Sequence, residues 1–396
     1  MTRSTAWRLV PALGATQIVS WGTLYYSIAV LGASMRDELG ISAAMLFGAY
    51  SLALLISALA APFVGRAIDR HGGRAVMSAG SVSAALALFL IAHAHSTMAL
   101  FLAWSVAGVA MAMTMYDAAF ATLSQHTGAS YRKALTALTL MGGLASTAFW
   151  PASLKGLEWF GWRDTLLIFA ALELALCLPL HLIFIPPSTG AIDHGKAGAA
   201  EGRGLPSARR RAAFIWLAAA FAFNGFIVSV LTVHLITILQ GKGLSLATAV
   251  WVGTFFGPMQ VAGRLLEFAI GRRFAARSVG IAALSLLVVA VTVLLALNGQ
   301  VALALLFAVL FGASNGVVTI VRGTVPAELF GRAGYGGTLG ALAAPALFAR
   351  AIAPFAFAPL AVAESAMGIG LLALLAMAAL SVASFGFAVK RVQERR

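Results

Sequence analysis

Long apolar segments recur from one end of the chain to the other, and they restrict its fold more than any other feature. A run of about 20 apolar residues crosses the hydrocarbon core of a bilayer as a helix, since each backbone polar group must then find a partner within the same segment. A hydropathy window of about 19 residues predicts twelve such spans. They run approximately over residues 9–34, 41–64, 75–93, 98–124, 134–155, 165–185, 212–240, 245–269, 277–297, 301–323, 338–362 and 367–389. The sequence therefore predicts an all-α membrane protein with twelve transmembrane helices.

The composition agrees with a polytopic membrane protein. Hydrophobic residues make up 61% of the chain and charged residues 10%, whereas soluble proteins average about 25% charged residues. The formal net charge of +14 comes from basic residues between the apolar runs, where they face anionic lipid. We therefore expect the lipid bilayer as a partner and no nucleic acid. The one cysteine, Cys177, lies in an apolar run and cannot form an intramolecular disulfide or a CxxC metal site.

The lysines and arginines also predict the orientation. With the N-terminus in the cytoplasm, most of them fall on inner connections, and the outer connections hold only Arg36, Lys155, Arg163 and Lys242. The positive-inside rule then places both termini in the cytoplasm. We expect an integral protein of a bacterial inner membrane, whose first apolar run is a membrane helix and not a cleaved signal.

A change of composition divides the chain into halves. Residues 186–211 contain a Pro-Pro pair, several glycines and the run Arg209-Arg210-Arg211, which predicts a flexible cytoplasmic linker. The linker separates an N-terminal six-helix bundle, residues 1–185, from a C-terminal six-helix bundle with a basic tail, residues 212–396. Two such halves are typical of the internal repeats found in transporters, so we expect them to be pseudo-symmetric.

The connection between the second and third spans, Gly65–Arg74, is a short basic turn. Its glycines allow two helix ends to approach, and its charged side chains need water or lipid headgroups. It resembles the loop signature of the major facilitator superfamily, G-x-x-x-D-R-x-G-R. The positions concerned are Gly65, Asp69, Arg70, Gly72 and Arg74, with Gly73 inserted so that Arg74 comes one place late. The resemblance implies a carrier whose halves rock about a central site, with this connection as a cytoplasmic gating loop; an ordinary interfacial basic loop is the alternative.

A weaker copy of this connection follows the eighth span. Gly263-Arg264 with Gly271-Arg272 repeats the spacing of Gly65-Arg66 with Gly73-Arg74. A second alignment, in which Arg272-Arg273 corresponds to Asp69-Arg70, is nearly as good. The copy indicates that the two halves arose by duplication, but it does not decide which of the two alignments is correct.

Charged residues inside spans are expensive in lipid, and they usually face protein or a water-filled cavity. The residues concerned are Asp117, Glu173, Arg264, Glu267 and Arg350. In the eighth span Gln260, Arg264 and Glu267 are four and three residues apart, so they lie on one helical face. Arg350 falls near the middle of the eleventh span. If the two arginines converge, each guanidinium offers a fork of donors to a carboxylate.

Basic residues in the eighth and eleventh spans resemble the oxalate/formate antiporter branch of the superfamily, and an arginine in the eighth resembles the related monocarboxylate transporters. The segment Trp21-Gly22-x-x-Tyr25-Tyr26-Ser27 is similar to that group too. The resemblance implies that Arg264 holds a substrate carboxylate and that Arg350 provides a second carboxylate contact or balances charge. Further hydroxyl and amide contacts are expected from Tyr25, Tyr26, Gln260 and Asn315; for the tyrosines, packing or a place in the interfacial aromatic belt is the alternative. Gln260 stands where the monocarboxylate carriers have an aspartate, and the first span has no lysine, so their proton relay does not carry over.

Each charged residue also has a structural interpretation. Arg264 and Glu267 have the spacing of a helix-end ion pair, and Arg350 has the charge to neutralise Glu173 or Asp117. Asp117 either braces the gating loop by pairing with one of its arginines or exchanges a proton during transport; Glu267 is the other candidate for proton coupling or a charge pair. Glu173 lies in a helix that is peripheral in the superfamily, and a structural role is favoured there.

Together these features predict a secondary active transporter for a small organic anion, a mono- or dicarboxylate, coupled to protons or to a counter-anion. The alternative is proton-coupled efflux of a drug, a metabolite or a metalloid compound. The fifth span has Gly142-Gly143 and Trp150-Pro151 without the G-P-x-x-G-G motif of drug/proton antiporters, which disfavours multidrug export. A sensor or scaffold without flux is a further alternative. We expect a monomer with no enzymatic activity, no cofactor and no metal site, since neither a Walker A motif nor metal-ligand spacing is present.

Overall fold

The computed structural model describes residues 3–127, 131–187, 207–270, 273–330 and 335–393, and their regular elements are helices. The first half of the chain contains α1 (Arg3–Trp21), α2 (Ile28–Leu39), α3 (Ala43–His71), α4 (Gly73–Ala92), α5 (Thr97–Thr114), α6 (Tyr116–Thr127), α7 (Tyr131–Gly142), α8 (Ala145–Leu172) and α9 (Leu178–Phe184). The second half contains α10 (Ser207–Val233), α11 (Leu235–Gly241), α12 (Leu246–Thr254), α13 (Phe256–Ile270), α14 (Ala276–Ala296), α15 (Val301–Phe330), α16 (Tyr335–Val362) and α17 (Glu364–Gln393). Two π-helical segments, Gly22–Tyr26 and Glu173–Cys177, lie between α-helices in the first half.

The chain divides into two compact units, Met1–Asp193 and His194–Arg396. The predicted linker, residues 186–211, contains this division, and its residues 188–206 lie outside the described ranges. In unit 1, α3 and α4 both pack against α5, and α1 packs against α7. In unit 2, α10 packs against α16 and α17, while α13 and α14 pack against α15.

The helices account for the predicted membrane spans. Within the described ranges, ten helical segments are long and apolar enough to cross a membrane. One of them, Lys133–Phe184, has 52 residues and covers the fifth and sixth predicted spans, which meet at the non-helical Gly161 (φ 78°, ψ 173°). The eighth predicted span is divided near Phe255 into α12 and α13. Each predicted span thus has a helical counterpart, and the expected all-helical membrane fold is confirmed.

The connection between α3 and α4 is shorter than the sequence predicts. Helix α3 continues through His71, so that Gly72 alone separates it from α4. The reason is that Ile68 gives this helix end a fully buried face, while Asp69 and Arg70 on the other side are exposed. Gly72 has φ 83°, a conformation that favours glycine, and its N–H donates to the Ile68 carbonyl at 2.8 Å.

Candidate substrate site

A polar stripe on α15 links two neighbouring helices of unit 2. Asn315, Thr319 and Arg322 are four and three residues apart, so they lie on one helical face. Asn315 Nδ2 donates to Oε1 of Gln260 on α13 at 2.8 Å. Arg322 Nη2 donates to Oδ1 of Asn224 on α10 at 2.9 Å. The stripe therefore brings polar groups of α10, α13 and α15 together in an otherwise apolar bundle.

Helix α13 holds its polar face close to this stripe. Gln260 and Arg264 are only 4% and 7% exposed, and they are one helical turn apart. The two helices approach closely because Gly263 faces the backbone of Ala313 and Gly316 faces the backbone of Gln260. A side chain at either glycine would meet main-chain atoms of the other helix. The predicted face of α13 is thus one wall of the candidate site, with Glu267 half-buried one turn further along.

Arg350 on α16 lies near the other end of the stripe. Its Cγ is 3.1 Å from the point that a Cβ would occupy on Gly225 of α10, and its backbone carbonyl accepts a hydrogen bond from Ser229 Oγ at 2.8 Å. Arg350 thus contacts α10 at Gly225, next to Asn224, which binds Arg322. Arg322 also lies over the ring of Phe221, 5.8 Å from its centroid. Two half-buried arginines from different helices therefore share one region.

Buried hydrogen-bond donors in this region lack acceptors. Arg322 itself is held by a neutral amide, that of Asn224. Around the stripe, the buried nitrogens of three side chains have no hydrogen-bond partner among the described residues, namely Asn224 Nδ2, Gln260 Nε2 and Arg322 Nε. Buried polar groups are ordinarily paired. Since all three are N–H donors, the group that would satisfy them is an acceptor.

The predicted tyrosines lie in the π-helical segment Gly22–Tyr26 of unit 1. Tyr25 is 5% exposed and packs edge-on against Trp21, with ring centroids 5.0 Å apart. Tyr50 Oη donates to the Tyr25 carbonyl at 3.2 Å, and Trp150 Nε1 donates to the Tyr26 carbonyl at 3.1 Å. These donors satisfy carbonyls in a segment whose backbone hydrogen bonds depart from the α-helical register. The backbone that carries both hydroxyls is thus fixed by side chains of α3 and α8.

Asp117 lies next to a break in the fourth predicted span. The fourth predicted span is broken at Met115, between α5 and α6. Gln17 Nε2 donates to the Thr114 carbonyl at the break, at 2.6 Å, and Trp21 Nε1 donates to Gln17 Oε1 at 3.2 Å. Asp117 is therefore exposed in the first turn of α6, where a helix N-terminus favours negative charge.

The predicted gating residues lie around the junction of α3 and α4. Gly65, Asp69 and Arg70 belong to α3, Gly72 is the junction, and Arg74 is half-buried in the first turn of α4. Close packing explains why Gly73 follows, since any side chain there would overlap Thr122 of α6. The role of these residues as a cytoplasmic latch stays a prediction.

Comparison with known proteins decides the family. Residues 13–354 match the family described as Major Facilitator Superfamily. The chain belongs to this superfamily. Its fold and family support secondary transport by alternating access, with a small-molecule substrate and a membrane environment, and they indicate a transporter rather than an enzyme.

Solved structures of superfamily carriers have the same fold. A mutant of the nucleoside transporter NupG aligns with a TM-score of 0.77 and 14% identity, over 97% of this chain and 99% of that chain. A bacterial homologue of the human lysosomal transporter Spinster, in an inward-facing and unoccupied conformation, aligns with a TM-score of 0.72 and 14% identity over 100% of both chains. No curated protein sequence matches this chain. Identities this low establish the fold and not the substrate.

Two residues of the unit 2 region were not selected as binding residues from the sequence. Arg322 lies next to the predicted end of the tenth span at residue 323, whereas helix α15 continues to Phe330. Asn224 was overlooked, although an amide within the apolar run Phe221–Phe226 is the kind of intramembrane polar residue that marks a site.

Proposed function

We propose that this superfamily member is a secondary active transporter of a small organic anion, a mono- or dicarboxylate. The observation that carries the proposal is that Arg322 and Arg350 contact adjacent residues of α10, Asn224 and Gly225, in a region where Asn224 and Gln260 leave buried donors without partners among the described residues. Like charges repel more strongly at low dielectric than in water. A bound carboxylate would relieve that repulsion and accept hydrogen bonds from both guanidinium forks.

The remaining predicted residues complete the proposal. Arg264, one turn from Gln260, would contact a substrate carboxylate, and the amides of Gln260 and Asn315 would orient it. Tyr25 and Tyr26 are further candidates for hydroxyl contacts with the substrate. The oxalate/formate and monocarboxylate branch supports this choice by resemblance.

The cellular setting is part of the same proposal. We place the protein in a bacterial inner membrane as a monomer with both termini in the cytoplasm. Residues 65–74 would act as the gating loop, and protons or a counter-anion would drive transport. Asp117 and Glu267 are candidates for proton coupling or charge pairing.

Uptake into proteoliposomes tests the proposal. Labelled mono- and dicarboxylates are compared with their neutral amides and with nucleosides, and carboxylates are expected to enter selectively. Removing one charged hydrogen-bond donor costs about 1.5–3 kcal/mol, so Arg350→Gln and Arg322→Gln should each reduce uptake at low substrate concentration about tenfold or more. Arg264→Gln should do the same.

The exposed Arg273 provides a matched control, and Arg273→Gln should keep wild-type uptake. Uptake of neutral compounds alone, or wild-type rates in both Arg350→Gln and Arg322→Gln, would overturn the anion assignment. Outward movement of a drug or metabolite, with no carboxylate uptake, would instead support the efflux alternative.

A further inference from the structure

A second buried polar cluster lies in unit 1, on the sixth predicted span. Glu173, Cys177 and His181 are four residues apart in turn, so they follow one face of the π-helical segment Glu173–Cys177 and of α9. All three are fully buried, at 0% exposure. About 12 Å of helix separates Glu173 from His181 at 1.5 Å per residue. The sequence favoured a structural role for Glu173, and the carrier mechanism above does not use it.

Neutral donors surround the Glu173 carboxyl group. Thr23 Oγ1 donates to Oε1 at 2.9 Å, and Ser20 Oγ donates to Oε2 at 3.4 Å. The Cys177 thiol also hydrogen-bonds to this carboxyl. These partners come from the first predicted span and from the same π-helical turn. π-helical turns within α-helices are frequent at functional sites.

The titratable side chain that hydrogen-bonds to Glu173 is Cys177, and His181 lies two helical turns further along the same face. The packed elements are α1, α4, α8 and α9, and no lysine or arginine of the described chain forms an ion pair with Glu173. His181 interacts instead with Ser81 Oγ at 2.9 Å through Nδ1 and with Thr16 Oγ1 at 3.1 Å through Nε2.

A glutamate in these surroundings has one property that glutamine lacks. An ionised carboxylate buried without a cation is costly, and three neutral donors offset that cost only in part. Glutamine has nearly the same shape and no charge, so packing alone does not account for the acid. The carboxyl group adds a proton that can be bound and released.

We propose that Glu173 is a proton-binding site of the transport cycle. Its carboxyl group takes up a proton from water on one side of the membrane and releases it as the carboxylate forms on the other side. The proton then travels in unit 1 while the organic anion is held in unit 2. This inference rests on the proposed anion transport and names its coupling ion.

Two transport assays on the same proteoliposomes test this coupling. Uptake driven by an inward proton gradient requires net proton movement, whereas exchange of labelled for unlabelled substrate at equal pH does not. Glu173→Gln should lose at least nine-tenths of gradient-driven accumulation and keep exchange. The matched control Glu158→Gln, at an exposed position on α8, should keep both. Gradient-driven accumulation at the wild-type level in Glu173→Gln would overturn the proposal.

Infrared difference spectroscopy provides a readout that needs neither transport nor a folded Glu173→Gln variant. The carbonyl stretch of a buried protonated carboxyl should disappear from the wild-type spectrum as the pH is raised and return when it is lowered. Thr23→Val, which removes one donor, should shift that band. A band that is absent, or that does not change with pH while the protein stays folded, would overturn the proposal. If the wild type moves no carboxylate but the band titrates, the substrate assignment fails and the proton site stands.

Discussion

At the scale of single residues, Asn224 gives the sharpest test of the arginine region. Its amide oxygen accepts from Arg322 and its amide nitrogen has no partner within the described residues. Asn224→Asp keeps the shape and adds a negative charge beside Arg322 and Arg350. That internal anion should compete with the substrate and raise the KM for carboxylate uptake about tenfold or more, since a charged hydrogen bond contributes about 1.5–3 kcal/mol.

The exposed Asn298, in the connection between α14 and α15, is the matched control for added charge. Asn298→Asp should leave the KM unchanged. An unchanged KM in Asn224→Asp would show that the two arginines do not contact the transported anion.

Only those features of the site that depend on a single helix could be predicted from the sequence. The spacing of Gln260, Arg264 and Glu267 gives their common face, because helical periodicity alone decides it. The Gln260–Asn315 and Asn224–Arg322 hydrogen bonds join residues that are far apart in sequence. They depend on how α10, α13 and α15 pack.

At the scale of helices, Gly263 tests the close approach of α13 and α15. A Cβ at this position would lie 2.6 Å from the Ala313 carbonyl oxygen and 3.0 Å from Ala313 Cα, and backbone cannot yield as a flexible side chain does. Gly263→Ala should therefore destabilise the protein by about 1–3 kcal/mol, as overpacking does. Thermal unfolding in detergent measures the change.

Gly386 on α17 has open space where a Cβ would be added. Gly386→Ala is therefore the matched control and should leave the unfolding temperature unchanged or slightly raised, because alanine favours helix more than glycine. Equal effects of the two substitutions would contradict the close helix contact.

Arg163 of α8 binds the ends of α2 and α4 in unit 1. Its guanidinium bonds Glu38 of α2 at 2.8 Å and the carbonyls of Ala92 and Ala94 at the end of α4, where cations are favoured. Arg163→Ala should reduce the free energy of unfolding by about 1–2 kcal/mol.

Lys155→Ala is the control, because it breaks only an exposed pair with Glu158. It should change the free energy of unfolding by less than about 0.5 kcal/mol. Detergent or urea unfolding curves would show the contrast, and equal losses would refute the capping role.

Helix interruptions were the part of the fold that the sequence did not predict. Hydropathy locates spans because burial in lipid needs only apolar length. The π-helical turn Gly22–Tyr26 and the break at Met115 depend on donors from other helices, such as Gln17 and Trp150. The helical extension of α3 to His71 was missed for a related reason, because one buried side chain, Ile68, continues the helix beyond the apolar run.

At the scale of the whole molecule, cysteine labelling tests the predicted orientation. The native Cys177 is fully buried, so it should react slowly with maleimides. His71 and Glu158 are both exposed, and they are predicted to face the cytoplasm and the outside respectively. A membrane-impermeant maleimide should label Glu158→Cys in intact cells and His71→Cys only after permeabilisation. The opposite pattern would place the termini outside.

Family membership limits what the whole fold says about the substrate. Carriers named for nucleosides and for a lysosomal transporter share this architecture at 14% identity, so the fold alone leaves the cargo open. The choice of an anion depends on a few side chains in unit 2.

Equilibrium binding to the purified protein tests that choice most directly. A carboxylate that the protein transports and its neutral amide are titrated against the wild type and Arg350→Gln by calorimetry. The wild type should bind the carboxylate at least about tenfold more tightly, equivalent to about 1.4 kcal/mol, and Arg350→Gln should lose that preference. Equal affinity of the wild type for the two compounds, or an undiminished preference in Arg350→Gln, would contradict anion recognition by the arginines of unit 2.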